Sequence, residues 1–279
     1  MNVCIVIPAR HASTRFPGKP LVPVAGVPML LRVHNLARLA ARPRANVDIL
    51  VATDHDDILR FAEANDIKAV MTPPECPSGS DRVLAAVDKA GLSPDVVVNL
   101  QGDNPACPPW FLSALVDAFV ARPDAAVFTP CERLSWTALD RLREAKKTTP
   151  FSGTFSEFVA DGRTENGLEI GFALTFSKRE IPLLRDENAL RAAEPELSPL
   201  YRHVGLYAYR LAALLAFASW PAGRLERLEG LEQLRFLENS VPVRVVAVDS
   251  RGRPPMTGVD APEDVARAET YFQEYGEFA

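Results

Sequence analysis

The chain opens on an unbroken apolar run, Val3-Cys4-Ile5-Val6-Ile7, too short for a helix. Such a run reads as a buried strand. Asp48 to Thr53, Ala69 to Thr72, Asp95 to Leu100 and Ala126 to Thr129 repeat the pattern. Between them apolar residues recur at helical spacing, first at Met29, Leu30, Val33, Leu36 and Leu39. Further helices are expected over His55 to Ala64, with Asp54 as its N-cap, over Asp81 to Lys89, and over Trp110 to Phe119. Strand, loop and helix in repetition predict an α/β fold: a doubly wound, mostly parallel sheet with right-handed crossovers.

The rhythm breaks from about Cys131 to Leu200. Charges cluster in Arg141 to Lys147, Gly167 to Ser177 partly alternates, and Asp186 to Glu196 is charged and alanine-rich. Residues 131–200 are therefore expected to form an inserted segment and a dimer contact within a single domain spanning 1–279. Regular patterning returns at His203 to Tyr209. A helix is predicted over Leu225 to Leu237 and a strand over Val243 to Val248. Gly258-Val259-Asp260-Ala261-Pro262-Glu263-Asp264 opens a last helix, its early proline suited to a first turn.

Composition narrows the class. At 279 residues the chain is long enough for a full core. Apolar residues make up 47% and charged residues 24%, ordinary globular usage. The net charge of -5 argues against a nucleic-acid-coating surface, so any anion site must be a local cluster. Cys4, Cys76, Cys107 and Cys131 show no C-x-x-C pairing and read as free thiols in a reducing compartment. No stretch reaches membrane-spanning length, and the N-terminal apolar run is too short for a signal peptide. A soluble, cytoplasmic protein without nucleic-acid or membrane partners is expected.

The local cation cluster is the first loop. Arg10, Arg15 and Lys19 fall within ten residues of one another, between prolines and a glycine, just past the first strand. Open α/β sheets place anionic ligands at that end of a strand. Two carboxylates also stand at element junctions: Asp103 past the strand 95–100, and Asp260 before the final helix. Single carboxylates from separate loops are a common way to hold magnesium on substrate phosphates. Turn chemistry at Asp103 and helix capping at Asp260 remain open on spacing alone. Walker-type, dinucleotide-binding and Gly-x-Ser-x-Gly motifs are absent.

Taken together, Pro8-Ala9-Arg10-His11-Ala12-Ser13-Thr14-Arg15-Phe16-Pro17-Gly18-Lys19-Pro20-Leu21 resembles the signature loop of the 3-deoxy-manno-octulosonate cytidylyltransferases, or CMP-KDO synthetases. Val51 to His55, Ser78 to Arg82, Val98 to Asp103, Arg202 to Tyr207, Leu231 to Arg235 and Gly258 to Asp264 match in the same order. The resemblance implies a Rossmann-like, GT-A-like nucleotidyltransferase fold, a homodimer, and transfer of CMP from CTP to a small anionic acceptor with release of pyrophosphate. It implies that Arg10, Ser13, Arg15 and Lys19 hold the triphosphate. Ala9, Ser78, Gly79 and Arg82 would frame the nucleoside. Asp103 and Asp260 would carry Mg2+, leaving Arg15, Lys19 and Asp103 as the catalytic set. Gln101, His203, Tyr207, Glu232 and Gln233 would face the acceptor, with Gln101 also near CTP.

Three departures from the family pattern lie on the acceptor side. Asn104 stands where the family usually has glutamate, and Lys178 where it has an arginine expected to meet a carboxylate. The usual Lys-Val-Val segment upstream has no clear counterpart. These differences leave open a small phosphonate, such as phosphonoformate, as acceptor in place of the eight-carbon keto sugar acid. A nucleotide-sugar glycosyltransferase is the competing class, though it would present two acids together where Asp103 is followed by Asn104.

Overall fold

The computed structural model describes residues 1–11, 16–254 and 258–278. In chain order the first half runs β1 (Val3–Ala9), the two-residue strands β2 (Pro23–Val24) and β3 (Val27–Pro28), α1 (Met29–Ala41), β4 (Val47–Thr53), α2 (Asp56–Ala64), β5 (Ala69–Met71), α3 (Gly79–Lys89), β6 (Val96–Asn99), α4 (Pro109–Ala121) and β7 (Val127–Ser135). Then come α5 (Trp136–Lys146), β8 (Phe155–Arg163), β9 (Glu169–Ser177), α6 (Glu187–Ala193), β10 (Leu197–His203) and β11 (Tyr207–Arg210). The chain closes with α7 (Leu211–Ser219), α8 (Arg224–Glu229), α9 (Leu234–Glu238), β12 (Val243–Val248) and α10 (Pro262–Tyr275). The architecture is α/β. Two compact units emerge: one comprises Met1–Val116, Leu206–Ala218 and Ser250–Ala279, the other Asp117–Gly205 and Ser219–Asp249.

In the first unit the strands lie in the order β11-β6-β1-β4-β5. β6, β1, β4 and β5 are parallel, and β11 runs antiparallel to β6. All four residues of β6 are buried, as are six of seven in β1, which is why these strands read as unbroken apolar runs. Because β4, β1 and β6 are parallel neighbours, their carboxyl ends share one edge, and the loops after them converge there. A second core, of Val24, Met29, Ala106, Val259, Ala268, Tyr271 and Phe272, fastens α10 under that edge.

The second unit has a different grain. β7 and β12 are parallel, whereas β9, β8 and β10 join antiparallel. Residues 131–200 fall wholly within this unit. Leu134, Trp136, Leu139, Phe155 and Leu200 form its buried cluster beside α5.

Two local expectations are corrected. Asp54 does not cap α2; the imidazole of His55 does, its Nδ1 accepting from the Asp57 N–H at 3.2 Å. The single helix expected over Leu225 to Leu237 is two, because Gly230 ends α8 at φ 65° in the left-handed region and α9 begins only at Leu234. The four cysteines are unpaired. Burial pushes the thiols of Cys4 and Cys107 up to about 12, raises that of Cys131 well above its ordinary value, and also raises that of the partly covered Cys76. No helix among the described residues is long and apolar enough to cross a membrane.

Candidate active site

The centre of the first unit is an ammonium shared by two carboxylates. Lys19 begins a short 3-10 turn, Lys19–Leu21, entered through Gly18 at φ 69°, a conformation that glycine adopts without strain. Its Nζ lies 2.9 Å from Asp103 Oδ2 and 3.3 Å from Asp260 Oδ1. The lysine side chain is 11% exposed, the carboxylates 33% and 50%, so the cation is covered while the acids face solvent.

Main-chain contacts hold this triad. Asp103 O accepts from the Val259 N–H at 2.8 Å, stitching the loop after β6 to the segment before α10. A Cβ on Gly258 would stand 3.3 Å from Asp103 Oδ1, a tight contact that glycine avoids. At Gly102 a Cβ would sit 2.4 Å from Pro8 O, so only glycine lets this loop lie against the end of β1. Helix capping, the bland role open to Asp260, falls instead to Asp264, whose Oδ2 accepts from the N–H groups of Asp260 and Ala261 at 2.8 and 3.0 Å. Turn chemistry does not explain the Asp103 carboxylate either: the turn is closed by the main chain, the Asn104 N–H donating to the Gln101 carbonyl at 3.2 Å, while the carboxylate turns to Lys19.

A second charged pair lies deeper. Arg82 Nη2 donates to Asp54 Oδ2 at 3.0 Å and Nη1 to Thr72 Oγ1 at 2.7 Å, and both members of the ion pair are nearly inaccessible. Asp54 Oδ1 also accepts from the His11 N–H at 3.0 Å. This arrangement ties the start of the first loop to the ends of β4 and β5 and explains why Asp54 is not free to cap. Arg82, expected near the nucleoside, thus has its charge met by Asp54.

The remaining expected residues of this unit surround the same edge. Ala9 ends β1 and is buried, and Arg10 follows it, exposed. Ser78 caps α3: its Oγ accepts from the Asp81 N–H at 3.2 Å and donates to Asp81 Oδ2 at 2.7 Å. Gly79 sits opposite Gln101 and Asn99; a Cβ there would reach Gln101 at 3.8 Å, an ordinary contact. Asn99 Oδ1 and Asn104 Oδ1 are buried and find no hydrogen-bond partner among the described residues. Tyr207 begins β11 and stacks on Tyr209, ring centroids 5.8 Å apart. Ser13 and Arg15 lie outside the described residues.

Lys178, His203, Glu232 and Gln233 belong to the second unit. Lys178 Nζ donates to Thr154 Oγ1 at 3.0 Å, and its N–H donates to Glu229 Oε2 at 2.8 Å. His203 is buried, its N–H bonded to Thr154 O at 2.8 Å, its Nε2 2.7 Å from Thr129 Oγ1 and its ring edge-on to Phe176. Burial above all, then the charges of Lys178 and Arg202, push its pKa down from 6.5 to about 3. Burial likewise lowers the pKa of Lys178, partly offset by Glu229. Lys146 joins the group, donating to the carbonyls of Gly153 and Lys178 at 3.1 and 2.7 Å. No signal in the sequence marks Thr154, Lys146 or Glu229; they approach Lys178 only through the tertiary packing of β8, β9, the end of α5 and the end of α8. Gln233 is buried at the start of α9, and the buried Arg235–Glu226 pair fixes the turn on which it and Glu232 sit.

The two acids on one cation fit a hard divalent ion: both donors are oxygens, both are partly open to water, and they already share a positive charge.

Comparison with known proteins agrees with this chemistry. A family model described as cytidylyltransferase matches residues 4–245. A 3-deoxy-manno-octulosonate cytidylyltransferase of Maricaulis maris is 40% identical over 99% of both chains. An 8-amino-3,8-dideoxy-manno-octulosonate cytidylyltransferase of Shewanella baltica is 37% identical over 96% of this chain and 98% of its own. The solved structure of a CMP:2-keto-3-deoxy-manno-octonic acid synthetase complexed with CTP superposes with a TM-score of 0.77 at 30% identity, covering 98% of this chain and 99% of that one. The chain belongs to the cytidylyltransferase family, and more narrowly to the CMP-KDO synthetases, and is a CTP-dependent nucleotidyltransferase.

Proposed function

We propose that the protein transfers CMP from CTP to 3-deoxy-manno-octulosonate, releasing pyrophosphate, as a homodimer in the cytoplasm. The acceptor reading is carried by full-length likeness to relatives named for octulosonates, and it is preferred to a phosphonate acceptor and to glycosyl transfer. The unpaired cysteines fit a reducing compartment.

The chemistry is read from the triad. The acceptor hydroxyl attacks the α-phosphorus of CTP, and the bond to the β,γ-diphosphate breaks. This step asks for positioning and charge neutralisation rather than a covalent intermediate. Lys19 supplies covered positive charge between Asp103 and Asp260, and Arg10, Ser13 and Arg15 share in holding the triphosphate. Asp103 and Asp260 would hold Mg2+, which when bound neutralises phosphate charge and lowers the pKa of a coordinated hydroxyl. Until CTP arrives, Lys19 keeps those two carboxylates together.

Ala9, Ser78, Gly79, Arg82 and Gln101 are assigned to the nucleoside side. Asn104, Tyr207, Lys178, His203, Glu232 and Gln233 are assigned to the acceptor. Lys178 offers a partly desolvated ammonium to a carboxylate, and neutral His203 offers hydrogen bonding without a second charge. The test is pyrophosphate release from CTP and Mg2+ with the keto sugar acid, its 8-amino analogue or phosphonoformate. Turnover with the unmodified sugar acid is expected to exceed both others. Turnover confined to phosphonoformate would overturn the acceptor assignment.

A further inference from the structure

A cluster apart from the Lys19 triad gathers nitrogen donors. The rings of His11 and His55 stack with centroids 3.8 Å apart and planes 14° from parallel. Asp57 stands beside them, its Oδ2 3.6 Å from His55 Nδ1. One ligand atom from each of the three falls within 4.8 Å of the others. We propose that His11, His55 and Asp57 form a binding site for a borderline divalent transition ion of the zinc class, separate from the oxygen-only pair Asp103 and Asp260.

The donor set decides the class of ion. Two imidazoles and one carboxylate suit zinc, cobalt or nickel, whereas magnesium prefers oxygen throughout. Three protein ligands leave one tetrahedral position for water. Donors around such an ion stand about 3.4 Å apart, given metal–ligand bonds of about 2.0–2.1 Å. Closing from the present spacing requires rotation of side chains that are partly or largely exposed. Asp57 must also loosen its exposed ion pair with Arg60, and His55 must give up its cap to the Asp57 N–H. Exposed pairs of that kind are weak competitors.

The main chain places His11 firmly. Its N–H donates to Asp54 at 3.0 Å, and its carbonyl accepts from the Gly18 N–H at 3.1 Å. His11 therefore stands at the neck of the loop, with Lys19 immediately beyond Gly18. An ion here would clasp that neck to the first turn of α2.

Zinc binding by calorimetry in excess Mg2+ tests the site, with Co2+ absorption as a second readout. The variants are His11→Asn, His55→Asn, Asp103→Asn and Cys76→Ser. Asparagine at position 55 keeps a good helix cap while removing the imidazole. The wild type should bind one Zn2+ and show visible Co2+ bands without a thiolate charge-transfer band. Each histidine variant should bind on the order of 10²-fold more weakly, while Asp103→Asn and Cys76→Ser bind as the wild type does. Unchanged binding in both histidine variants overturns the proposal. So does loss of binding in Asp103→Asn or Cys76→Ser, which would place the ion on the acid pair or on the thiol.

Discussion

The two lysines at the centre of the candidate clusters, Lys19 in the first unit and Lys178 in the second, are held in opposite ways. In the first unit each covered cation is matched by acid: Lys19 by Asp103 and Asp260, Arg82 by Asp54. In the second, Lys178 is met mainly by a hydroxyl, and its pKa and that of Lys146 are lowered by burial. The first arrangement is self-neutralised and must exchange partners when a charged ligand comes. The second holds positive charge at a cost that an anionic ligand would relieve. The contrast is what the proposed assignment requires, a metal–triphosphate for one set and a carboxylate for the other.

Removing one acid from the triad should have the largest effect. Asp103→Asn is expected to lower pyrophosphate release on the order of 10³-fold, with unfolding by urea little changed because the carboxylate is partly solvated. Full activity would show that the lysine–acid triad is only structural. A milder probe addresses the other unit. Lys178→Met should raise KM for the sugar acid about 10- to 100-fold, the equivalent of one charge-assisted hydrogen bond, and leave KM for CTP unchanged. A matching rise for CTP would erase the distinction drawn between the two clusters.

The smallest effect is thermodynamic. His203 carries a pKa depressed from 6.5 to about 3 in the folded state. Between those values the unfolded chain binds the extra proton, so stability falls as pH drops below 6.5. From pH 7 to pH 5 this group should cost about 2 kcal/mol. His203→Gln should remove that part of the slope in urea titrations at the two pH values. An unchanged slope would mean that His203 is not held neutral.

How much of this was legible beforehand depended on distance along the chain. β1, β4 and β6 were plain, because strands buried on both faces show as apolar runs. Strand β8 was not, since its residues 159–161 and 163 are exposed and its order comes from pairing with β9. Asp103 and Asp260 could be singled out by their positions after a strand and before a helix, yet nothing in their spacing, 157 positions apart, shows that Lys19 joins them. Asp54 reads as a cap because a carboxylate before a helix ordinarily is one; the competing partner, Arg82, lies a helix, a strand and a loop further on. Lys178 was found only as a deviation from a pattern, and its hydroxyl partner Thr154 had no signal at all.

The distribution of thiols has a practical side. Cys4, Cys107 and Cys131 are buried and hard to ionise, and the thiolate is the form that reacts with alkylating dyes. Cys76 alone is partly open, two residues before the Ser78 cap of α3. A fluorophore offered to the untouched protein should therefore attach at one place, beside the loop assigned to the nucleoside. Its emission is expected to change when CTP is added, with no cysteine to be introduced or removed; an unchanged signal would place the nucleoside elsewhere.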